Sequence, residues 1–580
     1  MTRPLRIGNA SGFYGDRFTA VREMLDGGPL DVLTGDYLAE LTMLILGRGR
    51  LKDPDAGYAT TFLRQMEECL GLAAERGTKI VTNAGGLNPA GLAGKLRELA
   101  ERLGVDVRVA HVEGDDLLPR AKELGLHHAR YGAPLTANAY LGAWGIAECL
   151  KGGADIVVTG RVTDASLVVG PAAAHFGWAR DDWDALAGAT VAGHVLECGA
   201  QATGGNYAFF QEIYNVKASG PMKAPGFPIA EIGADGSGVI TKHEGTGGAV
   251  TPETVTAQLL YEIGAPGYAG PDVTTWFDTI ELGEDGPDRV RISGTRGSPP
   301  PETTKVCLNH LGGHRNEMTF VLTGLDIEAK ADFARAQLEA AMGGARPAKV
   351  EWTLVGTPKP DPETQGEATA LLRCAVLDPD PDRVGRAFSG AVVELALAGY
   401  PGFTMTSPPG KGSPYGVYKP AFVPNDEIEH VAVLPDGTRE IIDPAPQTSP
   451  VEASPVEAPT QARLEPAPEG DLVRVSLGRV AGARSGDKGG DANIGVWART
   501  GEQWRWLAGF LTVERLGTLL PETRELTVTR HLLPNLRAVN FVVEGLLQEG
   551  VSASTRFDPQ GKALGEWLRS RLVDVPEAIL

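Results

Sequence analysis

Cysteine is scarce in this chain of 580 residues: Cys69, Cys149, Cys198, Cys307 and Cys374 lie far apart, with no C-x-x-C pair. Neither a disulfide framework nor a zinc knuckle is suggested, and a reducing compartment fits best. Positive charge is also in short supply, with 54 Lys and Arg against 74 Asp and Glu and a formal charge of -20. Such a surface repels phosphate backbones and anionic lipid, so neither nucleic acid nor a membrane is expected as partner. The first ten residues run into an apolar strand without a basic stretch and a long apolar core, and no apolar run has membrane-spanning length. A cytoplasmic protein is therefore expected. G-x-x-x-x-G-K-[ST], G-x-S-x-G and H-E-x-x-H are missing, which removes the P-loop, hydrolase-elbow and zincin readings. No complete G-x-G-x-x-G follows a strand, which weakens a dinucleotide redox enzyme. No metal and no cofactor is expected, beyond coenzyme A as part of a substrate.

Hydrophobic residues make up 42% and charged residues 22%, the balance of an ordinary globular protein. The length exceeds what one core supports, so three or so cores are expected. Residues 1–224 alternate short apolar strands with amphipathic helices, the rhythm of parallel βαβ units. In such sheets ligands sit at the carboxyl ends of the strands. From 225 to 442 the pattern changes to paired strands bracketing two long helices, an α+β part of the main body. Residues 443–470 are dominated by Pro, Ala, Glu, Ser and Thr and read as an extended linker. Residues 471–580 read as a compact, tethered C-terminal α+β domain. The fold class expected is α/β.

Six polar segments stand out. Gly8 to Arg17 sets three glycines and Asp16 between a strand and a helix, where backbone amides hold an anion or simply make a tight turn. Thr82 to Pro89 offers Asn83, Gly85, Gly86 and Asn88 in the same position, as a binding loop or a capping turn. Thr159 to Ser166 carries Arg161, Thr163 and Asp164; Asp164 suits an N-cap, whereas Arg161 suits an anionic substrate through its bidentate fork. Gly193 to Gly205 contains His194 and Glu197, which share a helix face as an acid/base pair, a weak metal site or a buried structural histidine with its neighbour. Lys242 to Gly248 leaves a strand with His243 and Glu244 at its mouth and Gly245, Gly247 and Gly248 behind them. Those two residues are the leading acid/base candidates, because glycine loops approach ligands closely. Ala483 to Ile494 packs Arg484, Ser485, Asp487, Lys488, Asp491 and Asn493 among glycines, too polar for a plain hairpin; the alternative is an interface loop docking the small domain.

Taken together, GNASGFYGDR, TNAGGLNP, VVTGRVTDASLVVGP, GHVLECGAQATGGN, HEGTGGAVTPETVTAQLLYEI and ARSGDKGGDANIGV resemble the acyclic terpene utilisation family of AtuA type. The likeness runs from Arg6 to about Tyr400 and resumes after the linker in a segment like that family's ferredoxin-fold domain. The resemblance implies a role in bacterial breakdown of acyclic terpenoids and branched acids through CoA thioesters. It carries no catalytic assignment, only pocket candidates: Asp16, Asn83, Arg161, Asp164, Glu197, His243, Glu244 and Arg484 to Asn493.

Two functions are expected to compete. One is a lyase-like enzyme acting on an acyl-CoA or carboxylated small molecule by hydration, dehydration or C–C cleavage, with Glu244 as base, His243 or Asp164 as acid, Glu197 as a further candidate and Arg161 on a carboxylate. The other is a non-catalytic accessory protein that binds a pathway enzyme. The amount of α/β surface leads us to expect a homo-oligomer.

Overall fold

The computed structural model describes residues 3–214, 222–446, 465–468 and 470–580. Most of the Pro/Ala/Glu-rich linker, 447–464 and 469, lies outside the described residues.

Five short, largely buried strands pair in parallel at the centre of an eleven-stranded sheet, in the spatial order Leu5–Asn9, Val32–Gly35, Lys79–Thr82, Ile156–Val158 and Val109–Glu113. Successive side chains alternate between faces. Leu33, Ile80, Ile156 and Val158 enter one core with the helices Ala20–Gly27, Thr60–Arg76 and Pro89–Leu103. Val32, Val81 and Val157 enter the other with Trp144–Lys151, Ser166–Phe176 and Trp183–Glu197. Burial on both faces is why these strands lack the apolar/polar alternation of a one-sided sheet. The last of these strands begins only at Val109, because Gly104 closes the preceding helix in left-handed backbone and the chain needs the next residues to return.

Antiparallel strands extend the sheet on both flanks. Pro228–Ile232, Gly238–Lys242, Val290–Ser293 and Glu281–Glu284 follow outward from Leu5–Asn9, and Val431–Val433 and Arg439–Ile441 from Val109–Glu113. Residue 224/225 therefore marks a change of strand pairing inside one sheet. A second, antiparallel sheet is built around the 21-residue strand Thr303–Thr323, which pairs with Thr369–Asp378, Ser413–Pro424 and Thr136–Ala139. Its helices Ile327–Met342 and Phe388–Ala398 share a core with Phe320, Leu372 and Val392.

The C-terminal module is a four-stranded antiparallel sheet in the order Ala481–Lys488, Asp491–Ala498, Ala538–Val543, Val528–Leu533, covered by Gly501–Phe510, Val513–Leu519 and Leu564–Ser570. It packs on the body. Asn493 donates to Leu260 O at 3.0 Å and accepts from Glu262 N at 2.8 Å, and Asn540 donates to Gly264 O at 2.8 Å. Arg499 bridges Glu253 at 2.9 Å and Glu212 at 2.8 Å, while Asn535 reaches Phe277 O and Ile280 O. Each buried bond contributes about 1 kcal/mol, and losing one partner costs more than that. Among the described residues no helix is long and apolar enough to cross a membrane.

Candidate functional site

The five parallel strands end on one edge of the sheet, and each delivers a polar residue there. Asn9 closes the first, Asp36 follows the second, Asn83 the third, Arg161 and Asp164 the fourth, and Asp115 the fifth. Asn83 Nδ2 donates to Asp36 Oδ1 at 2.6 Å while its Oδ1 accepts from Tyr37 N at 2.7 Å, so one amide locks two neighbouring loops. Asp115 accepts from Asn138 Nδ2 at 2.8 Å and from Arg161 N at 2.9 Å, fixing the backbone that carries Arg161. The Arg161 guanidinium lies 3.1 Å from Asp164, donates to Leu38 O and stacks over Tyr140 at 4.3 Å.

A helix and the C-terminal module complete the cluster. Asn9 Nδ2 donates to Leu196 O at 2.6 Å, pinning the end of Trp183–Glu197 over the strand edge and placing Glu197 there. His194, one turn earlier, lies 3.2 Å from Glu197 without hydrogen-bond alignment, in a cluster with the rings of Tyr268 and Phe277. Lys488 arrives from the C-terminal hairpin, donates to Glu262 O at 2.8 Å and lies 5.6 Å from the Tyr268 ring. Glu262 holds left-handed backbone, φ 56°, between Lys488 and Asn493.

The electrostatics follow from burial. Two like charges about 4 Å apart repel by roughly 4 kcal/mol even at an effective dielectric of 20, so closely packed carboxyls cannot all ionise beside few cations. Burial first, and then the Asp164 charge, push both Asp36 and Glu197 well above the usual carboxyl range. Burial also raises Asp115 to about 7 and lowers His194 to about 4, with Lys488 adding to the latter. Burial therefore holds Asp36, Asp115 and Glu197 toward the protonated form and His194 toward the neutral imidazole, beside the Arg161–Asp164 pair. Among the described residues no group of three or more His, Cys, Asp or Glu is arranged to hold a metal ion. A cleft of about 50 Å³ behind Tyr140, lined also by Trp144, Asp272 and His430, shares that tyrosine with the cluster and none of its carboxyls.

The structure brings together Asn83, Arg161, Asp164, Glu197 and Lys488 of the residues expected from sequence. It does not bring His243 and Glu244 there. Strand Gly238–Lys242 stands five places along the sheet from Ile156–Val158, roughly 24 Å at about 4.8 Å per strand. The His243 ring is buried against Gly27 and Gly28, with Nε2 2.9 Å from Met24 O, and Glu244 is exposed. The loop holding Gly245, Gly247 and Gly248 packs on residues 223–226, through Gly247 N to Ala224 O and Lys223 to Gly245 O. Asp16 closes its own loop by accepting from Gly12 N and Arg17 N. Gly85 and Gly86 serve close packing, since a Cβ on Gly85 would stand 2.4 Å from Thr159 O and one on Gly86 2.4 Å from Leu46. Asn88 is the N-cap of Pro89–Leu103, accepting from Gly91 N at 2.9 Å. Thr163 bonds Ser166.

The segment read as too polar for a hairpin is one: Lys488 pairs with Asp491 across Gly489 and Gly490. Several of its polar groups find partners outside the two strands. Ser485 accepts from Gly565 N, Asp491 accepts from Gly545 N and Asn493 bonds the body, while Asp487 lies near the Tyr261 ring, whose phenol is raised chiefly by burial, and Arg484 stacks on that ring. Asn9, Asp36, Asp115, Glu262 and Tyr268 were not singled out from sequence. For Asp36 and Asp115 the signal existed, an acidic residue within two positions of the end of a parallel strand.

The fold is thus an α/β sheet with a buried polar cluster at its carboxyl edge and a C-terminal module packed beside it. The chain belongs to the acyclic terpene utilisation family of AtuA type, whose description matches residues 5–434, and residues 475–574 match the AtuA ferredoxin-like domain. Comparison with curated proteins and with solved structures finds no match.

Proposed function

We propose that the cluster at the carboxyl edge is the active site of an acid/base enzyme acting on an acyl-CoA or carboxylated small molecule of acyclic terpenoid or branched-acid breakdown. The observation that carries this reading is the division of the carboxyls. Asp164 is ion-paired to Arg161, whereas Glu197 and Asp36 are held toward the protonated form. A carboxylate in an ion pair beside carboxyls held toward the protonated form is what a base and an acid working at one pH require. In a β-hydroxy thioester, Asp164 takes the α-proton, the Cα–H electrons form the double bond, and the C–O bond breaks as Glu197 protonates the departing oxygen to give water. Hydration is the reverse. Lys488 contributes positive charge for the carbonyl oxygen, and the ferredoxin-like module excludes water from the far side.

The test is turnover of branched 3-hydroxyacyl and enoyl thioesters by the full chain and by Glu197→Gln and Asp164→Asn. Wild type is expected to convert one pair, and each variant to lose about 100-fold or more in kcat with its circular dichroism unchanged. An inert wild-type chain that captures a pathway enzyme would make it the accessory protein instead.

A further inference from the structure

Three arginines are buried among the described residues, and two of them have carboxylate partners: Arg161 beside Asp164 at 3.1 Å and Arg373 beside Glu317 at 2.5 Å. Arg484 is the exception. It is 7% exposed, its Nη2 has no hydrogen-bond acceptor, and its Nη1 contact with Asn206 O is 3.5 Å, the outer limit for such a bond. Among the described residues no carboxylate lies within ion-pair distance of it. Stacking over Tyr261 at 4.4 Å offsets only part of the cost of taking a guanidinium out of water. Lys562 adds a second positive charge, 5.5 Å from the same ring.

The neighbourhood joins this cation to the acid cluster. Tyr261 is followed by Glu262, whose carbonyl accepts from Lys488 at 2.8 Å, and is preceded by Gln258, which donates to His194 O at 3.2 Å one turn before Glu197. The backbone of the C-terminal hairpin lies flat on that ring, where a Cβ on Gly486 would stand 2.4 Å from it. We propose that Arg484, assisted by Lys562, anchors the anionic group, a carboxylate or a phosphate, of the small molecule handled at the Asp36, Asp164 and Glu197 cluster. The destination of that molecule rests on the function proposed above; the anchor itself does not. The anion replaces the long contact with Asn206 O and receives the two-pronged donor set that the guanidinium leaves unused. The ferredoxin-like module thereby supplies a binding residue that the body lacks.

Calorimetric titration of the full chain with glutarate, which has carboxylates and no phosphate, and with coenzyme A, which has phosphates and no carboxylate, distinguishes the two sources. Wild type is expected to bind one of them, and Arg484→Met to bind it about tenfold or more weakly. Arg484→Lys keeps the charge, loses the fork and falls between the two, which keeps the test valid if the Met variant melts early. Equal affinity in wild type and both variants overturns the anchor, as does a wild type that binds neither probe. Because binding is read without turnover, a chain that binds through Arg484 but converts nothing leaves the anchor standing and removes the acid/base reading.

Discussion

Two loops of the large sheet, Thr159 to Ser166 and Lys242 to Gly248, look alike in sequence, each following a strand with glycine and a pair of ionisable residues, yet only the first takes part in the buried cluster. Both leave the same edge of the sheet, because Gly238–Lys242 is antiparallel to a strand that is itself antiparallel to Leu5–Asn9. What differs is the company. The first loop has parallel strands on either side, whose ends supply Asn83, Asp36 and Asp115. The second stands between antiparallel neighbours, whose carboxyl ends lie at the opposite edge. A charged pair after a strand becomes a site when adjacent strands end beside it.

The largest effect expected from that contrast is catalytic: Glu197→Gln and Asp164→Asn lose 100-fold or more in kcat, read by thioester turnover. Next comes acid stability. The neutral, buried His194 is lowered from 6.5 to about 4, so its contribution is present above pH 6.5 and is lost as pH falls toward 4. At 1.4 kcal/mol per unit that loss is about 3 kcal/mol, and His194→Gln is expected to flatten this limb of the urea-midpoint profile. Asn493→Ala, which leaves Glu262 N and Leu260 O without their partner, should cost about 2 kcal/mol and lower the melting temperature. Asp36 is raised, so its contribution is present below the unfolded carboxyl pKa and is lost as pH rises through the folded one. Asp36→Asn is therefore expected to gain melting temperature relative to wild type at pH 8.5 and to gain less at pH 5.5. The smallest effect belongs to the other loop: Glu244→Ala should leave kcat within twofold, and a large loss there would return the site to Lys242 to Gly248.

Much of the fold was legible. Short apolar runs separated by capped helices, with Pro89 opening one and Gly177 closing another, announce parallel βαβ units locally. Asn83, Arg161 and Asp164 were legible as candidates because each lies in a polar turn directly after such a strand. Asp36 was passed over because a single aspartate after a strand also reads as a cap, and only its neighbours across the sheet make it one of a cluster. Glu262 and Tyr268 follow a helix in a different part of the chain, and no local pattern links them to Glu197. His243 misled for the converse reason: a histidine at a glycine-rich mouth suits catalysis, but here its ring fills the space that Gly27 leaves open. The hairpin Ala481–Lys488 and Asp491–Ala498 was misjudged because its polar side chains bond to groups in other segments, which strand alternation cannot show.

The account stands on protonated carboxyls persisting at neutral pH where parallel strands end. Infrared spectroscopy of the full chain with isotope-labelled aspartate and glutamate reads them through the carbonyl stretch of an un-ionised acid. At pH 7 we expect that band in wild type, reduced in Glu197→Gln and reduced separately in Asp36→Asn. A wild-type spectrum at pH 7 holding only ionised carboxylate, or a band indifferent to both substitutions, would contradict the account.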